Sequence, residues 1–144
     1  MKLFKLHELE TTKNYLELYP GRLRNGYMNE ESVYVTDDDF SLIVAAVKRG
    51  FEWYAPFESF IIGKSMWKSI LNELLKLTVI LNEIPDNSKL DNYISIFYKD
   101  EKLRKSKIEE YLKKRIALLS LIEDLSGWID AKLVDEEYIT LIGI

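Results

Sequence analysis

The chain has 144 residues, of which 47% are hydrophobic and 31% are charged, and its formal net charge is −4 at pH 7. These values are typical of a soluble globular protein, and the length predicts one domain, residues 1–144, around a single core. The absence of cysteine excludes disulfides and thiolate chemistry and fits a cytoplasmic location. Charged residues interrupt the apolar runs well before the length of a membrane span, so we expect no membrane contact.

The charge is unevenly distributed along the chain. Residues 1–98 carry a net −3, residues 99–115 a net +4 and residues 116–144 a net −5. Within the basic run, lysines and glutamates recur four residues apart, which is typical of the solvated face of a helix. A mostly acidic chain with one such run is a poor candidate for direct nucleic-acid binding.

The first third of the chain predicts short strands and one helix. Residues 2–9 fit either a short strand or the start of a helix that continues to Tyr19, and the pattern leaves both open. Asn25-Gly26 is a turn signal that can close a hairpin before a short strand at 32–35. Thr36 suits a helix N-cap, and the helix that it opens is predicted to end at Gly50.

Longer helices are predicted after an aromatic loop at 51–60. Apolar residues at helical spacing predict one helix over 64–82 and a long one over 101–129, which Gly127 ends or bends. Residues 93–98 fit a strand or a helical turn. The last segment, 137–144, has the composition of a strand, and its available partners are residues 2–6 and 32–35. The expected fold is α+β and helix-dominated, with three substantial helices and a small antiparallel sheet built from the chain ends and early strands.

A metal-dependent nuclease is one alternative function. Asp86, followed by Asp100 and Lys102, has the outline of a site in which two carboxylates hold Mg²⁺ and a lysine stabilises developing charge. That chemistry needs the residues on paired strands, whereas the pattern places Asp86 in a turn and Lys102 in the long helix. The sequence contains no phosphate-binding glycine motif, and we expect no cofactor and no bound metal.

The acidic residues between positions 30 and 39 favour a protein-binding function. They are Glu30, Glu31, Asp37, Asp38 and Asp39, with no Lys or Arg among them. The aspartates also serve the helix N-terminus, but three exceed what a cap needs, and the two glutamates lie outside the helix. The nearby aromatic loop offers Trp53, Tyr54 and Phe57, residues of types that are enriched at interface cores, and we assign Trp53 and Tyr54 to the partner-binding surface. An acidic rim beside aromatic anchors suits a basic protein partner.

In its layout the chain resembles the small immunity proteins that neutralise contact-dependent growth inhibition toxins and related polymorphic toxins of bacteria. The shared features are the acidic region from Glu30 to Asp39, a central helix bearing Trp67, a long C-terminal helix and the final segment YITLIGI. The resemblance implies a tight one-to-one complex with a toxin domain, often a basic nuclease, whose active site or substrate face is blocked. It implies no catalysis. A self-assembling regulatory protein that uses the aromatic segment is a further alternative, since the sequence leaves the oligomeric state open.

Overall fold

The structure, a computed structural model, describes residues 1–23, 26–83 and 87–143. Within these ranges the chain forms six α-helices and one four-stranded antiparallel sheet, which confirms the predicted helix-dominated α+β class. The strands are β1 (Tyr15–Pro20), β2 (Val33–Thr36), β3 (Phe60–Gly63) and β4 (Tyr138–Ile142). The helices are α1 (Asp37–Phe40), α2 (Val44–Gly50), α3 (Lys64–Asn82), α4 (Asn87–Ile94), α5 (Glu101–Lys113) and α6 (Arg115–Lys132).

The sheet has the strand order β2-β1-β4-β3. The C-terminal strand β4 is therefore an interior strand, and its partners are β1 and β3. The prediction that it pairs with residues 2–6 or 32–35 is wrong. An interior strand needs two neighbours, and these are β1 and β3, whose apolar runs are too short to be recognised as strands from the sequence. The register places Tyr15 opposite Thr36, with the start of β3 at the same end of the sheet.

The N-terminal segment is neither the strand nor the helix that its pattern allowed. Phe4 forms a single bridge to Tyr34 at the edge of β2, and Leu6–Glu8 form one 3₁₀ turn. The carboxylate of Glu8 accepts the backbone N–H of Lys5 at 2.9 Å, so the turn is closed by its own side chain before a longer element can form.

The predicted long helix over 101–129 is two helices. Lys114 has φ −103° and ψ 11°, so the helix breaks there, and α6 then continues through Gly127 to Lys132 rather than ending at the glycine. The break allows α5 to pack on α4 while α6 packs on α3. Arg115 donates from Nη1 to the carbonyl oxygen of Leu81 at 3.3 Å, which fixes the start of α6 at the C-terminal end of α3.

Helix α3 has the predicted bounds, and its buried face forms the centre of the core. The helix expected over 36–50 is split into α1 and α2. Gly50 does end α2, but its role is close packing, because a β-carbon on Gly50 would stand 2.5 Å from the Cα of Ile70. Residues 93–98 are the end of α4 and a helical turn rather than a strand. The predicted hairpin turn at Asn25-Gly26 falls partly outside the described residues, because Asn25 is not among them.

Candidate protein-interaction site

Two aspartates stand exposed at the end of β2 where the chain turns into α1. The hydroxyl oxygen of Thr36 accepts the backbone N–H of Asp39 at 3.2 Å, which confirms the predicted N-cap. Asp37 and Asp38 occupy the first turn and remain exposed. Neither forms an ion pair with any residue in the described ranges. Their carboxylates are thus open to an external cation.

The aromatic loop between α2 and β3, residues 51–59, presents two of its rings to solvent. Trp53 is 69% exposed and Phe57 is 77% exposed. Phe57 also has a φ of +67°, a conformation that costs a non-glycine residue free energy and is retained where the surroundings impose it. Lys48 fixes the loop by donating from Nζ to the carbonyl oxygens of Glu52 and Tyr54.

Tyr54 supports the loop from inside and offers no ring to a partner. It is only 5% exposed, and its ring packs against Phe40 and Phe60 at centroid distances of 5.9 and 6.0 Å. Burial, with a smaller contribution from the charge of Asp37, raises the pKa of Tyr54 to about 12. The expectation that Tyr54 is a contact residue is therefore corrected: the exposed aromatic residues of the loop are Trp53 and Phe57.

A cavity of about 250 Å³ joins the aspartates to the aromatic loop. Asp37, Asp38, Tyr54 and Phe57 all line it. The structure thus brings two of the three predicted aspartates together with the aromatic loop at one end of the sheet. Asp39 does not line this cavity, but all three aspartates line a second one together with Lys13 and Lys114.

The opposite wall of the cavity carries Lys107, which is held inside the fold. Its Nζ donates to the hydroxyl of Ser41 at 3.0 Å and lies 3.2 Å from the carboxylate of Glu110. Ser41 in turn donates its hydroxyl proton to the carbonyl oxygen of Asp38 at 2.6 Å. A serine–lysine nucleophile needs a lysine that is free to accept the serine proton, whereas here the ammonium is the donor. The contact between Ser41 and Lys107 ties α5 to the α1–α2 turn.

Glu30 and Glu31 belong to a different surface. Glu31 and Asp37 are six positions apart along mostly extended chain, which corresponds to about 20 Å at about 3.3 Å per residue. Both glutamates are exposed, and next to them Tyr27 and Met28 are exposed apolar residues. The sequence therefore suggested one acidic patch where the structure has two, at opposite ends of β2.

The segment that carries Glu30 and Glu31 is anchored by Glu17, which sequence reasoning missed. The Glu17 side chain is completely buried in β1 and accepts hydrogen bonds from the backbone of Met28, from the backbone and side chain of Asn29, and from the hydroxyl of Ser32. A buried carboxylate is retained when donors satisfy it in this way. The alternation of Leu16, Glu17 and Leu18 gives no sign of it, because a polar residue between two apolar ones in a strand ordinarily faces water.

The residues of the nuclease alternative do not form a site in the described ranges. Asp100 caps α5 by accepting the N–H of Leu103 at 2.9 Å, and Lys102 follows it on the same helix rather than on a paired strand. Asp86 lies outside the residues that the structure describes. Across the described ranges, no group of three or more His, Cys, Asp or Glu side chains is arranged to hold a metal ion.

In residues 1–23, 26–83 and 87–143, none of the helices has the length and apolar character that a bilayer crossing requires. Comparison of the chain with protein families, characterised proteins and solved structures finds no match.

Proposed function

We propose that this protein is an immunity-type inhibitor that acts in the cytoplasm. It binds a cognate toxin domain, a basic nuclease, and masks the active site or the substrate face of that domain. It contributes no catalysis of its own. The proposal rests on one observation: two exposed aromatic side chains, Trp53 and Phe57, stand on the loop that shares a cavity with the unpaired carboxylates Asp37 and Asp38.

The two kinds of residue have different roles in such a complex. Large aromatic side chains supply most of the affinity of a protein interface when a partner covers them. Exposed carboxylates steer a basic partner into contact and mainly raise the association rate. We expect Trp53 and Phe57 to slow dissociation of the complex and Asp37 and Asp38 to speed its formation. The kind of partner is taken from the resemblance in layout to immunity proteins.

The site is also built to keep its shape, which favours tight binding because little order has to be gained on association. Lys48 holds the loop at two carbonyl oxygens. Tyr54 fills the space beneath the loop. The exposed rings are therefore presented on a backbone that is held by the hydrogen bonds of Lys48 and by the buried ring of Tyr54.

The test is capture of the partner followed by a growth assay. The tagged protein is incubated with lysate of the source cells, washed at low and then high salt, and the retained protein is identified. We expect one small basic protein in equimolar amount that arrests growth when expressed alone and is harmless when co-expressed with this chain. Capture of nothing, or of proteins that are harmless when expressed alone, would contradict the proposal.

The same growth assay assigns the surface. Trp53→Ala should weaken protection, whereas Tyr27→Ala should not, although Tyr27 is equally exposed at 68%. Equal loss of protection in both variants would contradict the assignment of the site to Trp53, while the inhibitor function itself would stand.

A further inference from the structure

Helices α3 and α6 enclose a groove of about 730 Å³ that the described part of the fold leaves uncovered. Leu75, on the wall of this groove, is 63% exposed, and Val79 follows it one turn later on α3. On α6, Leu119 lines the groove, and Ile116, which is 78% exposed, precedes it by three residues. Apolar side chains exposed at helical spacing on two adjacent helices are typical of a surface that a further helix covers.

The groove is bordered by unpaired acidic residues. Glu123 and Asp130 line it two turns apart on α6, and neither forms an ion pair with another described residue. Lys68 is the basic residue among the lining residues. The whole segment 116–144 has a net charge of −5. The occupant that matches this surface is an amphipathic helix with basic residues.

Helix α5 of the same chain is such a helix. The basic run contains four residues that bind within the fold, and these are Arg104, Lys107, Lys114 and Arg115. The other lysines of α5 are exposed and make no ion pair in the described ranges, namely Lys102, Lys105 and Lys113. Leu103 and Leu112 are exposed between them. Glu101 and Glu109 are also exposed on this helix without an ion pair in the described ranges. The exposed, unpaired charges of α5 are thus three lysines and two glutamates, which leaves this uncovered face net positive, with two leucines on it.

We propose that α5 of one copy docks into the α3–α6 groove of a second copy to form a twofold-symmetric homodimer. Because each copy carries both surfaces, a twofold axis repeats the contact and buries the apolar residues of both grooves. The lengths agree: the groove extends along α3 from Lys68 to Asn82, about 21 Å, and the face from Lys102 to Lys113 covers about 17 Å. The lysines of α5 then lie against Glu123 and Asp130. None of these residues lines the cavity at Asp37, so the dimer and the proposed inhibitor function are tested on different residues.

Sedimentation equilibrium of the intact protein tests the dimer. At low salt and increasing protein concentration, we expect the mass to rise from 17.0 kDa towards twice that value, and high salt should lower the dimer fraction because exposed charges are screened. Leu75→Glu, which places a charge on the exposed apolar wall of the groove, should give a monomer at every concentration. Tyr27→Glu, which places the same charge on an equally exposed residue of another surface, should dimerise like the native chain. Circular dichroism verifies that each variant is folded.

A charge exchange identifies the surfaces. The first variant makes the groove basic, with Glu123→Lys/Asp130→Lys, and the second makes α5 acidic, with Lys102→Glu/Lys105→Glu/Lys113→Glu. Each variant alone should remain monomeric, because its groove and its α5 then repel each other. An equal mixture of the two should dimerise, because opposite charges meet in both contacts. A native chain that stays at 17.0 kDa at low salt and millimolar concentration overturns the proposal. Self-association that persists in both single variants overturns it as well, because the contact would then lie elsewhere.

Discussion

Gly143 lies directly against the carbonyl oxygen of Glu58: a β-carbon added to Gly143 would stand 2.6 Å from that oxygen. It would also stand 2.9 Å from the carbonyl carbon of Phe57. Gly143, which directly follows the interior strand β4, thus packs against the backbone of the aromatic loop. Since the obstructing atoms are backbone atoms, a larger residue at position 143 must displace the loop.

We therefore predict that Gly143→Ala weakens partner binding at the candidate site. The loop that carries Phe57 has to move by several tenths of an ångström, and the variant should lose about 1–3 kcal/mol of unfolding free energy through overpacking. Isothermal titration with the captured partner measures the first effect and urea unfolding the second.

Gly127→Ala is the matched control for this prediction. Gly127 is exposed within α6, and a β-carbon there would meet nothing within 4 Å. Alanine should raise the unfolding free energy by about 0.5–1 kcal/mol and leave binding unchanged. Unaltered binding in Gly143→Ala would show that the loop does not depend on its contact with β4.

Glu17→Gln should destabilise the protein although it changes a single atom. The buried carboxylate accepts hydrogen bonds from the backbone of Met28 and Asn29, and an amide nitrogen in place of one oxygen confronts donor with donor. We expect a loss of about 2 kcal/mol of unfolding free energy, measured by urea unfolding, and faster hydrogen exchange at the amides of Met28 and Asn29. Glu30→Gln, a change to an exposed carboxylate of the same segment, should stay within about 0.5 kcal/mol of the native chain.

Glu110 should make stability depend on pH in the acid range. Burial tends to raise its pKa, but the ion pairs with Lys107 and Lys114 outweigh burial and hold the pKa below the ordinary value of 4.5. A carboxyl whose pKa is lower in the folded state stabilises the fold fully above its unfolded pKa, and this contribution disappears as pH falls through the lowered folded value. Glu110→Gln should therefore lose about 1 kcal/mol at neutral pH.

The difference in unfolding free energy between Glu110→Gln and the native chain should shrink below pH 4.5 and vanish in stronger acid, as urea unfolding at a series of pH values would show. Glu109→Gln provides the control, because Glu109 is exposed and has no ion pair in the described ranges. A difference that persists unchanged in strong acid would mean that the ion pairs of Glu110 are not the cause.

The features that the sequence predicted correctly depend on residues close together in the chain. The bounds of α3 follow from apolar residues at helical spacing, and the N-cap at Thr36 needs only the N–H three residues later. The strand at 138–142 and the helix-dominated α+β class follow from local composition. Each of these signals lies within one element, so no tertiary contact is needed to recognise it.

The features that were missed depend on contacts between distant residues. The partners of β4 come from more than 70 residues earlier in the chain. The break at Lys114 is associated with packing against two different helices, and no proline or glycine marks it. Tyr54 and Phe57 are both aromatic residues of one loop, yet only tertiary packing decides that Tyr54 is buried and Phe57 exposed. The sequence thus indicated the kinds of residue in the candidate site, carboxylates and aromatic side chains, but not which of these residues are exposed and lie together.

The charges of the site give the most direct test of the central claim that Asp37 and Asp38 guide a basic toxin domain onto the exposed aromatic side chains. Stopped-flow association with the captured partner compares Asp37→Lys/Asp38→Lys with Glu30→Lys/Glu31→Lys, which makes the same change of charge at the other end of β2. Thermal unfolding verifies that both variants are folded. We predict that the first slows association at least about tenfold at low salt while the second has a much smaller effect. Equal slowing by both, or no slowing by the first, would contradict the account.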